Sequence, residues 1–195
     1  MGALSKSKLF LALLGSLMLS FGCTMKRPFD TEQVTLMEHI YRQTSLDRMR
    51  NARVGVFGFE SPVNAPMVGF DAANILYHKL LERGVFQQVF PESDALNLTI
   101  QEQLELAKSR DYDMIITGKV LYYFDGSALE ASRVDQQIRI IEVSTGGIFW
   151  YADTVQIGEA IFDSDYLVVE FKGQPAPSAL DLMGMNAGKL CSMLL

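Results

Sequence analysis

The sequence predicts an α/β protein, a mixed sheet with helices packed on it, and three observations predict it. Between Arg53 and Val120, short runs of strand-forming residues alternate with stretches of helical spacing, the order that builds parallel crossovers. Between Met114 and Ile157, three strand-like runs are separated by glycine-containing turns, as in an antiparallel meander. The chain then closes on Ala179–Leu195, where Leu182, Met185, Leu190 and Leu194 have helical spacing, although Gly184 and Gly188 weaken it by about 1 kcal/mol each.

The amino terminus has a different character. Lys6 and Lys8 precede the apolar run Leu9–Leu19, which is shorter than the ~20 residues needed to span a bilayer. A charged start, a short apolar run and small residues before Cys23 read as an export signal over residues 1–22. The stretch Leu19-Ser20-Phe21-Gly22-Cys23 resembles the bacterial lipobox, with Leu19 one place early and Phe21 bulkier than usual. The resemblance implies a lipid on Cys23, and Thr24 in place of aspartate implies sorting to the outer membrane. The alternative is an ordinary cleaved signal with an incidental cysteine. The start Met1-Gly2-Ala3-Leu4-Ser5-Lys6 lacks the serine or threonine that myristoylation requires at its sixth position.

Residues 23–52 read as a lipidated tether, in which Val34, Met37, Ile40 and Tyr41 predict a short helix over 31–43. A single domain is expected over 53–195. Its first strand, Val54–Phe59, is apolar or small on both faces, so both are expected to be covered. Phe70, Ala73, Tyr77, Leu80 and Leu81 predict an amphipathic helix ending at Gly84. A short strand over Val85–Phe90 is expected to stop at Pro91. Thr99-Ile100-Gln101-Glu102 fits a capping box, with Ile100, Leu104 and Ala107 as the buried stripe of the helix behind it. Met114–Phe124 reads as a long strand, and one of Asp111 and Asp113 is expected to cap the entry to the sheet. Gly126-Ser127 turns the chain into the strand Val134–Ile141, and Thr145-Gly146-Gly147 turns it again into Ile148–Ile157. Beyond that, Tyr166–Phe171 is a candidate strand and Gln174–Pro177 an open loop.

Composition narrows function. The chain has 17 Lys+Arg and 23 Asp+Glu, for a net charge of −6. Without Lys6 and Lys8 the exported part stands near −8, which argues against nucleic acid as a partner. With Cys23 lipidated, Cys191 has no partner for an intramolecular disulfide and reads as a buried structural thiol. His39 and His78 lack a second histidine at metal spacing, and neither a phosphate loop nor a nucleophile elbow is present. No catalytic residue, metal site or cofactor is expected. Contact surfaces are expected instead. Phe149-Trp150-Tyr151 places Trp150 on one face of its strand and Tyr151 on the other, with Trp150 either in the core or at an interface. Tyr166 and Phe171 belong to an apolar stretch suited to a strand, an oligomer contact or a membrane-leaning element.

Three stretches also resemble a known series: Arg53–Phe59, then Arg83-Gly84-Val85-Phe86, then Tyr112-Asp113-Met114-Ile115-Ile116-Thr117-Gly118-Lys119-Val120. Ile138–Trp150, with its Ser-Thr-Gly-Gly turn, extends the match. Together they resemble a superfamily of envelope lipoproteins. It contains the curli-secretion channel lipoprotein, the Pel polysaccharide-export lipoprotein, the penicillin-binding-protein activator lipoprotein and the TolB amino-terminal domain. The resemblance spans about residues 53–157 and the terminal helix. It implies an anticodon-binding-like fold without catalytic residues. It further implies a periplasmic, lipid-anchored homo-oligomer with envelope protein partners, in an export or assembly apparatus. The alternative role is a regulatory module acting on a cell-wall synthase. The chain is too short for the two barrel-forming hairpins of the curli channel, and its tether lacks the long Pro-rich stretch of the synthase activator.

Overall fold

The structure is a computed structural model that describes residues 34–42, 50–93, 98–166 and 169–195, which lie in one compact unit spanning Glu32–Leu195. In chain order the elements are β1 (Val34–Arg42), β2 (Arg53–Phe57), α1 (Val68–Arg83), β3 (Gln88–Glu92), α2 (Ile100–Ser109) and β4 (Met114–Phe124). They continue with β5 (Ser132–Glu142), β6 (Ile148–Gly158), β7 (Ser164–Tyr166), β8 (Val169–Phe171) and α3 (Ala179–Leu194). Six strands form one mixed sheet in the order β1-β6-β5-β4-β2-β3, and β7 and β8 form a separate two-stranded ribbon. The predicted fold class is the one observed.

Strand β2 pairs in parallel with β3 on one side and β4 on the other. The crossover to β3 therefore runs one way along the sheet and the crossover to β4 runs back. Right-handed connections in opposite directions set their helices on opposite faces. Accordingly Val54 and Val56 meet Ala72, Ala73, Leu76 and Leu80 of α1, and α3 extends that layer across β5 and β6 with Leu182, Met183, Ala187 and Leu190. On the other face, Phe57, Ile115, Ile141 and Val143 meet Leu104 and Ala107 of α2.

Local chemistry explains where the helices begin and stop. Gly84 ends α1 in the left-handed conformation at φ 61, its N–H donating to the carbonyls of Leu80 and Leu81. Thr99 and Glu102 close the expected capping box at α2, and Ser178 and Asp181 form a second one at α3. Asp113 takes the capping role anticipated for one of the two aspartates, accepting the Arg53 N–H at 2.8 Å.

Three local expectations need correction. The stretch predicted as a tether helix is strand β1, which pairs antiparallel with β6 along its whole length, so the sheet takes in part of residues 23–52. Helical and strand periods compete there. Val34, Leu36, Glu38 and Ile40 share the face of Ala152, Thr154 and Gln156, and the inward Glu38 pairs through Oε1 with Lys189 of α3 at 3.1 Å, while its Oε2 is buried without a hydrogen bond from the described residues. Second, Pro91 does not stop a strand but lies inside β3, opposite Val56. Since β3 is the edge of the sheet, the missing N–H faces no neighbour there. Third, Ile100 is 39% exposed, and Gln103 takes its place in the buried stripe of α2.

Two polar clusters, joined over long sequence separations, are buried within the layers. Tyr112 lies over Gly55, where an added Cβ would come within 2.7 Å of its ring, and stacks on Phe90. Its hydroxyl donates to Glu92 at 2.7 Å, and Arg110 pairs with the same carboxylate. Under α3, Asn186 donates to Gln136 and to Thr154, each at 2.7 Å. Satisfied buried networks of this kind fix how a helix sits on its sheet.

Candidate functional site

A helix of ten residues is about 15 Å long, whereas six strands spaced ~4.8 Å apart make a sheet about 24 Å wide. The single helix α2 therefore covers only the part of its face around β2, β3 and the start of β4. The rest of that face, over β1, β6 and much of β5, is left uncovered by the described elements. This is the surface with the most distinctive chemistry.

It is organised in cross-strand rows. Tyr41, Tyr151 and Arg139 are register partners on β1, β6 and β5. The two tyrosine rings lie 5.8 Å apart, and the Arg139 guanidinium sits 5.7 Å from the centre of the Tyr151 ring. The next row is His39, Asp153 and Gln137, and the one after it Met37, Val155 and Asp135. Arg133 grips Asp135 with two hydrogen bonds of 2.7 and 2.8 Å, and its guanidinium lies 5.4 Å from the Tyr122 ring. Tyr41 and Met37 are more than half exposed. The surface therefore combines aromatic rings, paired arginines and one methionine, a composition suited to protein contact.

Tyr151 holds this surface together. Its hydroxyl donates to Asp153 at 2.6 Å. Burial, with help from that carboxylate, pushes its phenol from the ordinary 10 up to about 12. A phenol in the unfolded chain loses its proton near 10, so the contribution of Tyr151 to stability is intact below pH 10 and is lost as pH rises through 12. Tyr151→Phe should therefore reduce the loss of stability across that window, read as urea midpoints measured on either side of it.

The other sequence-predicted site residues fall in different places. Cys23 lies outside the described residues. Trp150 is fully buried, so of its two readings the structure keeps the core and overturns the interface: it points between β6 and α3 and presents no surface to a partner. Tyr166 and Phe171 lie at opposite ends of the β7–β8 ribbon, where Tyr166 pairs with Val169 and Ser164 with Phe171. The structure thus brings Tyr151 together with Tyr41 and Arg139, which the sequence reading did not single out, and leaves Trp150 on the opposite side of the sheet. A period-two reading of residues 34–42 would have set Tyr41 on one face with Met37 and His39, but its place beside Tyr151 comes from the register of β1 on β6.

Residues weighed for chemistry have local explanations. Ser127 accepts the N–H groups of Leu129 and Glu130 and so shapes a turn. His78 lies against the ring of Tyr77, and His39 is exposed on the uncovered face. Among the described residues no group of three or more His, Cys, Asp or Glu is placed to hold a metal. Cys191 is buried, and burial pushes its thiol up to about 11.

No family model and no curated protein matches the chain. Solved structures do. A protomer of the PelC dodecamer from Paraburkholderia phytofirmans superposes with a TM-score of 0.62 at 18% identity, covering 82% of this chain and 97% of that one. The two chains share a fold. A single-residue variant of the same dodecamer gives a TM-score of 0.58 at 16% identity, over 81% and 97% of the two chains. The lipoprotein GNA1162 from Neisseria meningitidis overlays at a TM-score of 0.41 with 17% identity, over 73% and 97%, too distant a fit to argue from. The fold that the sequence resemblance implies is the fold observed.

Proposed function

We propose that this chain is a non-enzymatic envelope lipoprotein, held by lipid on Cys23 at the periplasmic face of the outer membrane, that acts as a homo-oligomeric component of an export apparatus. The observation that carries the reading is the superposition along 97% of a protomer that belongs to a dodecamer. The uncovered sheet face supports it, because Tyr41, Tyr151 and Met37 offer an envelope protein partner aromatic and apolar contacts beside paired charges. The sequence stretch that holds Tyr166 and Phe171 is the second contact element in this reading. Polysaccharide is the favoured cargo class, since the chain covers nearly all of a protomer of PelC and the sequence resembles the Pel polysaccharide-export lipoprotein.

Cys23 supplies the direct test of anchoring. A durable anchor needs more than one acyl chain, so its loss should be all-or-none in fractionation. Cells fed radiolabelled palmitate should label the full chain and not Cys23→Ala, and the variant should leave the membrane fraction. Label retained by Cys23→Ala would sink the anchoring claim.

A further inference from the structure

Strand register sets which parts of the domain share one end. Val34, the first residue of β1, faces Gly158, the last of β6, and Gly158 also faces Ser132, the first of β5. Phe124, the last of β4, faces Arg133 at the same end. Three loops gather there. The β2–α1 loop is tied in by Asn64, whose side-chain amide donates to the Tyr123 carbonyl at 3.2 Å. The β4–β5 turn spans residues 125–131. The stretch after β6 joins it through the reciprocal hydrogen bonds of Ile161 and Gln174 and through the Ala176 N–H, which donates to the Ser127 carbonyl at 3.2 Å.

Each loop exposes a large apolar side chain. Val63 is fully exposed and Leu129 is 77% exposed, the two highest values for large apolar side chains among the described residues. Phe162 is 61% exposed, and Leu121 and Phe124, in the last four residues of β4, are exposed beside them. Exposed apolar side chains scattered singly are ordinary, whereas a group gathered at one end marks an interaction site.

We infer that this end of the domain rests on a lipid bilayer, with Val63, Leu129 and Phe162 set among the headgroups. The inference deepens the anchoring reading and rests on lipid at Cys23. The occupant is lipid because of where the tether enters. Ten residues separate Cys23 from Val34, and even fully extended such a stretch reaches at most about 40 Å. Strands of 11 residues make the sheet about 35 Å long, so the tether holds the Val34 end nearest the membrane. Charge says what kind of contact it is. Lys119 and Arg133 at this end are paired with Glu60 and Asp135, and Asp125, Glu130, Glu159 and Asp163 outnumber Lys172. Attraction to anionic headgroups therefore does not hold this end down, and burial of apolar side chains at the headgroup boundary does.

The test uses the full chain, lipid attached, reconstituted into vesicles of phosphatidylcholine and phosphatidylethanolamine. A nitroxide is placed at Val63→Cys, Leu129→Cys or Phe162→Cys, one at a time, with Ile148→Cys, exposed at the opposite end of β6, as the reference. Oxygen concentrates in the bilayer and a nickel chelate stays in water. The ratio of oxygen to nickel relaxation should be severalfold higher at the three loop positions than at Ile148→Cys, and adding phosphatidylglycerol should not raise it. Loop labels as aqueous as the Ile148→Cys label, on a chain that floats with the vesicles, overturn the contact and leave the anchor standing. Spin–spin broadening at the loop positions without the oxygen preference puts a second copy there and overturns it as well. A chain that does not float with the vesicles overturns the anchor and this inference together.

Discussion

Gly69→Ala should cost about 3 kcal/mol of stability, although intrinsic propensity alone would favour alanine in a helix. Gly69 is the second residue of α1, and its position is fixed by the loop that leaves β2. Its N–H donates to the Ser61 hydroxyl at 2.8 Å, and its carbonyl accepts the Phe59 N–H at 3.3 Å. An added Cβ would lie 2.0 Å from the Phe59 carbonyl oxygen, and that atom is backbone, so no rotamer change relieves the clash. Either the helix start moves away from β2 or the two hydrogen bonds are lost, and both loosen the core beneath Phe59 and Val68. Gly184→Ala makes the opposite prediction from the same reasoning. Its Cβ meets nothing within 4 Å in the middle of a helix, so the gain should be about 0.5–1 kcal/mol. Chemical denaturation of the two variants should move the midpoint in opposite directions.

Trp150→Ala should be the most damaging truncation in the chain, at about 3–5 kcal/mol. Trp150 is the largest of the fully buried side chains, enclosed between β6 and α3. Its removal leaves a cavity that Leu190 and Ala152 are too well packed to fill. For a domain of this size the loss amounts to a fall in melting temperature on the order of 10 °C. Tyr151→Ala, one residue away on the other face, should cost far less, since it removes a half-buried ring and one hydrogen bond to Asp153. A thermal scan of both variants tests the alternation directly. Equal losses would mean that β6 is out of register.

That alternation also shows what the sequence could reveal. Capping boxes, glycine turns and the long strands Met114–Phe124 and Ile148–Gly158 depend on neighbours in sequence, so their chemistry is legible in the chain itself. The capping box of Thr99 and the left-handed Gly84 stand where they were expected. Strand β1 was not legible, because its inner face includes Glu38 and its outer face includes Met37 and Tyr41, the reverse of a simple amphipathic strand. Only the distant Lys189 makes an inward Glu38 acceptable. The same limit applies to the uncovered surface. Tyr151 could be placed on one face of its strand, but Tyr41 and Arg139 join it through register, which long-range pairing sets. Trp150 had two readings for the same reason: alternation fixed its side of the strand, and only the position of α3 decided that this side is the core.

On the proposal made above, this fold is anchored in the envelope and works as an assembly of many copies. The most direct measurement is the mass of the full chain extracted from its membrane in mild detergent, by light scattering corrected for bound detergent or by native mass spectrometry. A large homo-oligomer that persists on dilution is the predicted result. A single 21.8 kDa chain or its lipidated, signal-cleaved form, at every concentration tested, would contradict it.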